Sequence, residues 1–315
     1  MKNSYIDLHT HTLHSDGALT PQQLLQKAKE YGLVALAITD HDSIESYDQQ
    51  TLALAKNLGI ELVPGIEFST RDNEGTKYHI LGLFVDLRNP QLKALTKVLK
   101  TQRQQYSLKV CEVLNQNGWK IDTAKLLTHS GTVTKGHIAK TVLRNPENIA
   151  KLKRIFGGRL PSMGEFIEKV MIKGCSCFVK HDEILTPQEA IDIIHKAHGI
   201  AILAHPSFNI IKGESSQKLC SKFKKMGIDG FEAIYIEYDR SHNDAEIQHI
   251  KELTQYAREH DLTITGGSDY HCSDDQTVGK FIDLGFANHA IKVPYGILED
   301  LKIFGKKKYR SFKAN

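Results

Sequence analysis

Histidine and carboxylate residues recur in this sequence where short apolar stretches end. His9-Thr10-His11 follows the first stretch, and Asp40-His41 follows the second. Residues two apart in an extended chain point to the same side, so the imidazoles of His9 and His11 can reach one ion. A single His-x-His pair is a weak signal, because such pairs often arise by chance. The rest of the pattern therefore decides the interpretation.

Asp16 follows in the loop after His11. Further residues of the same chemistry lie within or just after later apolar stretches: Glu67, His79, His205, Asp269 and His271. Each alone could be a turn residue, a helix cap, a surface acid or a buried histidine. In a (β/α) barrel, however, the ends of the strands meet on one face, where active sites are built. Imidazole and carboxylate ligands together suit Zn, Mn or Fe, and these residues exceed what one ion can use. The pattern predicts a multinuclear metal centre.

Seven apolar stretches rich in Ile, Val and Leu are predicted to be the strands that position these residues. Most are separated by segments of helical period, such as Pro21 to Tyr31, Gln188 to His198 and Asp244 to His260, which is typical of βαβ units in a parallel sheet or barrel. The predicted strands are Ile6 to His9, Leu33 to Thr39, Ile60 to Ser69, Tyr78 to Val85, Ile200 to His205, Gly230 to Ile234 and Leu262 to Gly266.

The alternation of strands and helices stops between about Pro90 and Asp182. Leu92 to Asn117 has the pattern of one long amphipathic helix, and shorter helices follow it. We therefore predict a barrel with an inserted helical subdomain: the first part of the barrel at 1–89, a helical cap that binds substrate at 90–182, and the second part of the barrel at 183–315.

The composition indicates a globular protein of the cytoplasm. The 315 residues can bury a large core, and the net charge of +4 is spread along the chain rather than gathered into a basic patch. The five cysteines contain no Cys-x-x-Cys spacing, which argues against a disulfide framework and against a thiolate zinc site. No signal peptide and no apolar run long enough to cross a membrane is apparent, so we expect no membrane association.

The motifs around these residues resemble those of the polymerase and histidinol phosphatase (PHP) family. They are His9-Thr10-His11, Ser15-Asp16-Gly17, Thr39-Asp40-His41-Asp42, Gly65-Ile66-Glu67, Ala204-His205-Pro206 and Gly267-Ser268-Asp269-Tyr270-His271. The resemblance implies a distorted seven-stranded (β/α)7 barrel of PHP type and a metal-dependent phosphoesterase with two or three divalent ions (Mn, Zn or Fe).

The resemblance also implies how the ligands divide. One ion would take His9, His11, Glu67 and Asp269. A second would share Glu67 and take His79 and His205, and a third would take Asp16, His41 and His271. His41 and His205 are also predicted to be catalytic, together with Asp40, which would act in proton transfer or in support of the ligands.

Within the family, the sequence is similar to the TrpH-type branch of nucleoside 3′,5′-bisphosphate phosphatases, which also trim 5′ nucleotides from short RNA. Gly136-His137-Ile138-Ala139 resembles part of that branch's Arg-Pro-His-Ile-Ala motif, with Lys135 in place of Arg and Gly136 in place of Pro. The resemblance implies that Lys135 and His137 bind the phosphate that does not react. Arg240 and His242, after the sixth strand, are predicted to complete that pocket.

The predicted reaction is hydrolysis of nucleotide phosphate monoesters by a metal-bridging hydroxide. The substrate is expected to be a small phosphorylated nucleotide, with short RNA as a further possibility, and no obligate protein partner is indicated. Two alternatives stay open. One is a histidinol-phosphate phosphatase with the same metal face, and the other is a PHP module associated with nucleic acid, which would need a polymerase domain for which the chain has no room.

Overall fold

A computed structural model of the chain describes residues 4–127, 133–180, 185–236, 243–272, 283–287 and 291–309. Eight strands form one sheet in these described parts. They are β1 (Tyr5–Asp7), β2 (Leu33–Ile38), β3 (Glu61–Arg71), β4 (Lys77–Leu83), β5 (Ile200–Leu203), β6 (Gly230–Ile234), β7 (Thr263–Gly266) and β8 (Val293–Pro294). Their order is β7-β6-β5-β4-β3-β2-β1-β8.

The sheet curls until its first and seventh strands nearly meet. The Leu8 N–H donates to the carbonyl of Gly266 at 3.3 Å, and the His11 N–H donates to the carbonyl of Tyr270 at 2.9 Å. This approach requires glycine at 267, because a Cβ there would lie 2.4 Å from the Cβ of His9. The predicted distorted barrel is confirmed. β8 is an addition to it, since a two-residue strand antiparallel to β1 gives no periodic signal.

The expectation of a parallel sheet is wrong for one strand. β4 runs antiparallel to both β3 and β5. The connection from β3 to β4 is the tight turn Asp72–Thr76, in which the Asp72 carboxylate accepts the N–H groups of Glu74 and Thr76. Such a turn can join only antiparallel strands, because a parallel pair needs a crossover of a dozen or more residues. His79 therefore reaches the site from near the beginning of its strand.

The helices begin where the sequence offers capping residues. Thr20 before Pro21 and Thr186 before Pro187 each close a capping box with the residue three positions on. The helices are α1 (Pro21–Glu30), α2 (Gln49–Leu58), α3 (Pro90–Gln116), α4 (Thr123–Leu127), α5 (Lys135–Arg144), α6 (Ile149–Ile155), α7 (Met163–Phe166), α8 (Pro187–Lys196), α9 (Ser207–Ile211), α10 (Ser216–Lys225), α11 (Asn243–Glu259) and α12 (Gly296–Lys308). Within the described ranges, every helix is too short or too polar to span a lipid bilayer.

The segment from α3 to α7 has its own apolar core. Trp119 and Phe166 are fully buried in that core, with their rings edge to face at 5.1 Å. The long helix α3 belongs to two cores, since Leu92 and Leu99 pack with the barrel, whereas Val110 packs with Trp119. The division into 1–89, 90–182 and 183–315 stays a prediction, and the shared helix α3 is the element that would join the cap to the barrel.

We predict that Phe166→Ala unfolds the cap before the barrel. Truncation of a buried Phe costs about 3–5 kcal/mol, and the lost contacts all belong to the core around Trp119. Trp119 is the only tryptophan in the chain, so its fluorescence reports the cap, while far-ultraviolet circular dichroism reports the whole molecule. The fluorescence midpoint should move to lower denaturant with the metal content per molecule unchanged. A single transition that shifts equally in both signals would show that the two cores unfold as one.

Candidate metal centre

The carboxylate of Glu67 lies at the centre of a cluster of histidines at one end of the barrel. Glu67 is buried in the middle of β3, and nitrogens of five imidazoles surround its two oxygens. Glu67 Oε1 lies 3.4 Å from His9 Nε2, 3.0 Å from His79 Nδ1 and 3.3 Å from His205 Nε2, and Oε2 lies 3.3 Å from His11 Nε2 and 3.0 Å from His41 Nδ1. One carboxylate thus contacts most of the predicted ligands.

Asp269 completes the first group of ligand atoms. Its Oδ1 lies 3.2 Å from His9 Nε2 and 3.0 Å from His11 Nε2, and both histidines follow β1 directly. One ligand atom from each of His9, His11, Glu67 and Asp269 lies within 4.8 Å of the others, so the four could hold one ion. These are the four residues that the family resemblance implies for the first ion.

Two further groups adjoin the first. His41, Glu67 and His79 form one of them, and His11, Asp16, His41 and His271 form the other. His271 Nε2 lies 3.1 Å from Asp16 Oδ1. The implied second ligand set had His205 where this grouping has His41, but His205 Nε2 is only 3.2 Å from His79 Nδ1 and so borders the same group. All nine predicted metal ligands therefore lie in one continuous cluster.

The buried atoms of this cluster fit divalent ions better than they fit one another. His9 Nε2, His11 Nε2 and Glu67 Oε2 are buried and, among the described residues, have no hydrogen-bond partner. Buried polar atoms without partners are costly, and in native structures they usually mark an ion or a water. Imidazole nitrogens and carboxylate oxygens that face a common point are the donors that Zn, Mn or Fe prefers.

The electrostatics of the cluster agree with a site built for cations. Burial alone would raise the pKa of Glu67, but the imidazoles of His41, His9 and His79 outweigh it and hold that pKa well below its usual value. His271 and His41 likewise depress the pKa of Asp16 despite its burial. Burial lowers the pKa of His41 to about 3, with help from His11 and His79. The carboxylates stay ionised at neutral pH, as ligands must.

Glu232 orients two of the ligands, and sequence reasoning missed it. Its carboxylate is fully buried on β6 and contacts His9 Nδ1 at 2.9 and 3.0 Å. This contact directs His9 Nε2 towards Glu67 and Asp269. Glu232 also accepts the backbone N–H of His205 at 2.8 Å, where the backbone has a left-handed φ of 30°. The available signal was a single acid within the apolar stretch Gly230-Phe231-Glu232-Ala233-Ile234.

Asp7 fixes the loop that carries Asp269. Its side chain is buried at the end of β1. The carboxylate accepts hydrogen bonds from the Ser268 hydroxyl at 2.5 Å and from the N–H groups of Ser268, Gly285 and His9. Burial raises the pKa of Asp7 to about 6, although these hydrogen bonds act to lower it. The loop beyond β7 is therefore bound to β1 through Asp7.

Asp40 lies beside the three groups of ligands rather than within them. Thr12 donates both its N–H and its hydroxyl at 2.7 Å, Ser15 donates at 2.6 Å, and Ser46 donates a further hydrogen bond. With both oxygens accepting from these donors, Asp40 holds the loop between His11 and Asp16. This arrangement favours the supporting role over proton transfer.

The structure describes two of the four predicted substrate-binding residues, Lys135 and His137. Lys135 is half-buried at the start of α5, and its Nζ lies 5.9 Å from the ring centre of Tyr106. His137 Nδ1 accepts the Thr134 N–H at 3.2 Å and so closes the capping box of α5. The structure thus gives His137 a capping role through Nδ1. Arg240 and His242 lie outside the described residues.

Comparison with known proteins decides the family. The model of the PHP domain matches residues 7–165, which is just over half of the chain. The chain belongs to the PHP domain family. A 5′-3′ exoribonuclease of Haemophilus influenzae is 34% identical over 282 residues, which cover 88% of this chain and 94% of that protein. A 3′,5′-nucleoside bisphosphate phosphatase of Chromobacterium violaceum is 28% identical over 285 residues, with coverage of 89% and 92%.

The fold comparison agrees with this family. A solved structure from Bifidobacterium adolescentis, described as a metal-dependent phosphoesterase, has a TM-score of 0.74 at 21% identity and covers 97% of this chain and 98% of that one. The family and its two named relatives make this protein a hydrolase, and its cluster of histidines and acids is able to bind metal ions.

We predict that Glu232→Gln weakens metal binding without unfolding the barrel. Loss of a carboxylate that orients a ligating histidine typically costs about 10- to 100-fold in metal affinity. Isothermal titration of the metal-free protein with Mn²⁺ measures this loss. Glu45→Gln is the control, because Glu45 is half-exposed and pairs with His14 and Lys100 outside the cluster. Equal affinity for Mn²⁺ in the Glu232 variant and the parent would contradict the orienting role.

Proposed function

We propose that this protein hydrolyses phosphate monoesters of nucleotides, with nucleoside 3′,5′-bisphosphates as preferred substrates and the 5′ ends of short RNA as further ones. The observation that carries the proposal is the enclosure of Glu67 by five imidazoles at the open end of the barrel. Such a cluster is far larger than a structural metal site, which needs four ligands.

In this proposal, two or three divalent ions of the Mn, Zn or Fe type are held by the three groups around Glu67. His9, His11, Glu67 and Asp269 would hold one ion. His41, Glu67 and His79, bordered by His205, would hold a second, and Asp16, His41 and His271 with His11 a third. Bound divalent ions acidify water to give a nucleophile and neutralise the charge of the phosphoryl oxygens.

The chain's own residues supply position and preorganisation. Glu232 and Asp7 hold His9 and the Asp269 loop, while Asp40 holds the loop between His11 and Asp16. Because these supporting carboxylates are buried and hydrogen-bonded, the ligand atoms need little rearrangement when a phosphate binds. Half-exposed His79 and His271 lie at the edge of the cluster, where substrate has access.

The relatives support the substrate class. The exoribonuclease of Haemophilus influenzae and the bisphosphate phosphatase of Chromobacterium violaceum both align along most of their length with this chain. Their names share one chemistry, the attack of water at a phosphate attached to a nucleotide. We infer the same chemistry here from that similarity together with the cluster.

The test is a set of substrates offered to the Mn²⁺-loaded protein: adenosine 3′,5′-bisphosphate, a 5′-phosphorylated trinucleotide, AMP and histidinol phosphate. The bisphosphate should give the highest kcat/KM. Glu67→Ala should abolish turnover and lower the bound metal, since it removes the carboxylate common to two groups of ligands. His260→Ala is the control, because His260 Nδ1 bonds the Tyr256 carbonyl and its ring stacks on Tyr256, away from the cluster. Turnover by the Glu67 variant, or a preference for histidinol phosphate, would refute the proposal.

Lys135 is proposed to bind the phosphate that does not react. Burial, together with the charges of Lys77 and Arg71, lowers the pKa of Lys135 to about 8, so an anion beside these cations would relieve their repulsion. Lys135 stands in the first turn of α5, where backbone N–H groups also favour an anion. His137 contributes through the cap that begins this helix.

We predict that Lys135→Ala raises KM for adenosine 3′,5′-bisphosphate about tenfold or more, since a charge-assisted hydrogen bond is worth about 1.5–3 kcal/mol. The value of kcat should change little, because a phosphate remote from the reaction is held equally in the ground and transition states. Arg144→Ala, at the exposed far end of the same helix, should have no effect. An equal loss with AMP would show that Lys135 acts on the reacting phosphate or on folding.

A further inference from the structure

The hairpin that carries two of the ligands extends beyond them with positive charge. In β3 and β4, Glu67 pairs with Leu81, Ser69 with His79, and Arg71 with Lys77. Side chains of alternate residues share a face, so Arg71 and Lys77 lie on the face that carries Glu67 and His79. At about 3.4 Å per residue, Lys77 stands about 7 Å beyond His79 along the strand. The two cations therefore border the open side of the metal centre.

Lys135 and Lys212 join this pair from two other elements. Lys212 follows α9, and its Nζ lies 3.6 Å above the ring of Phe208, which in turn packs edge-on against His205 at 6.3 Å. Lys135 begins α5, and burial, followed by the charges of Lys77 and Arg71, lowers its pKa, which places it near the pair. Partial desolvation lowers the pKa of Lys77, and the charges of Arg71, Lys212 and Arg103 lower it further. Lys77 thus lies close enough to Arg71, Lys135 and Lys212 for their charges to interact.

These four cations differ from their neighbours in having no acidic partner among the residues that the structure describes. Nearby, Arg103 pairs with Asp42, Lys100 with Glu45 at 2.7 Å, and Lys222 with Asp72 at 2.7 Å. Glu74, the other acid of the hairpin turn, also faces Lys222, at 4.0 Å. Within the described part of the chain, no carboxylate forms an ion pair with Arg71, Lys77, Lys135 or Lys212. The acids of the hairpin are thus engaged by Lys222.

Arg71 also has a buried donor that lacks an acceptor. Its backbone N–H is fixed by the carbonyl of Leu185 at 2.9 Å, yet its Nε is buried and without a hydrogen-bond partner in the described residues. A guanidinium with an unused N–H presents the fork that matches a phosphate. Like charges held together around an unsatisfied donor are costly for the free protein, and an anion would offset that cost.

We propose that Arg71, Lys77 and Lys212 form, with Lys135, a second phosphate site for the part of the substrate beyond the reacting phosphate. This inference rests on the proposed function and deepens it. The ligand is a phosphate group, which could come from the 3′-monoester of a bisphosphate or from the next phosphodiester of an RNA chain. Arg71 and Lys77 continue outward from Glu67 and His79 along the hairpin, so a chain of more than one nucleotide can follow them.

The test removes the two hairpin cations together in Arg71→Gln/Lys77→Gln. With Mn²⁺, KM for adenosine 3′,5′-bisphosphate, for a 5′-phosphorylated trinucleotide, or for both should rise about tenfold or more, while kcat stays similar and AMP is unaffected. A rise for the bisphosphate alone assigns the site to a 3′-monoester, and a rise for the trinucleotide assigns it to a phosphodiester. The single substitution Arg71→Lys should raise KM less than the double substitution, because lysine keeps the positive charge but lacks the guanidinium fork.

A matched control removes one Arg and one Lys at the other end of the barrel. Arg88 lies beyond the far end of β4 and is exposed, and Lys29 lies in the last turn of α1, before β2 begins. Arg88→Gln/Lys29→Gln changes the net charge equally and should leave KM unchanged for all three substrates. If both double variants behave alike, or if AMP suffers as much as the longer substrates, the proposed site is refuted.

A binding measurement separates this inference from the proposed function. In EDTA, fluorescence anisotropy follows the binding of a fluorescein-labelled 5′-phosphorylated trinucleotide without turnover. Because the site neutralises one phosphate, the slope of log affinity against log salt should become shallower by about 0.7 in Arg71→Gln/Lys77→Gln. An unchanged slope would overturn the site even if the enzyme hydrolyses nucleotides. If the parent hydrolyses none of the substrates, the proposed function fails, and the anisotropy still decides the phosphate site.

Discussion

The structure depends on the burial of one carboxylate, that of Glu67, among five imidazoles. Without a cation the arrangement is unfavourable, because nitrogen lone pairs and carboxylate oxygens face one another with few protons to share between them. Protons can satisfy part of this arrangement: burial lowers the pKa of His11, but the neighbouring carboxylates of Asp269 and Glu67 raise it to about 10. Bound divalent ions would coordinate these nitrogens and carboxylate oxygens together. The barrel has therefore to hold the ligands rigidly against their own repulsion.

Much of the fold serves this requirement. Glu67 and His79 lie across one antiparallel hairpin, whose register is fixed by regular pairing from Gly65 to Arg71. The ligands in loops need additional support, which comes from three buried acids, Asp7, Asp40 and Glu232. His205 and Asp269 have left-handed backbones, with φ of 30° and 53°, and such strain persists where surrounding contacts enforce it. Each support is a hydrogen bond to a ligand or to its loop.

The sequence alone predicts the barrel and the members of the cluster, because strands and ligands carry local signals. His9 and His11 are adjacent to an apolar stretch, and so are His41, His205 and Asp269, which makes their convergence predictable from strand geometry. The direction of β4 could have been predicted from the short turn at Asp72, whose residues favour a hairpin. The two-residue strand β8 carries no such signal.

The supports of the site are less predictable than its ligands. Glu232 and Asp7 each appear as one acid in an apolar stretch, and only the three-dimensional structure shows that their partners are His9 and Ser268. The role of His137 in a cap depends on the conformation of Thr134, which a motif does not specify. The grouping of Arg71, Lys77 and Lys212 could not be predicted from the sequence either, since they come from separate segments that the fold brings together.

The central claim is that the cluster around Glu67 is a multinuclear metal centre, and anomalous diffraction from crystals soaked in Mn²⁺ tests it most directly. The account predicts two or three anomalous peaks next to Glu67, each coordinated by one of the three groups of ligands. The absence of any peak within this cluster at saturating Mn²⁺, or a single ion bound elsewhere in the protein, would contradict it.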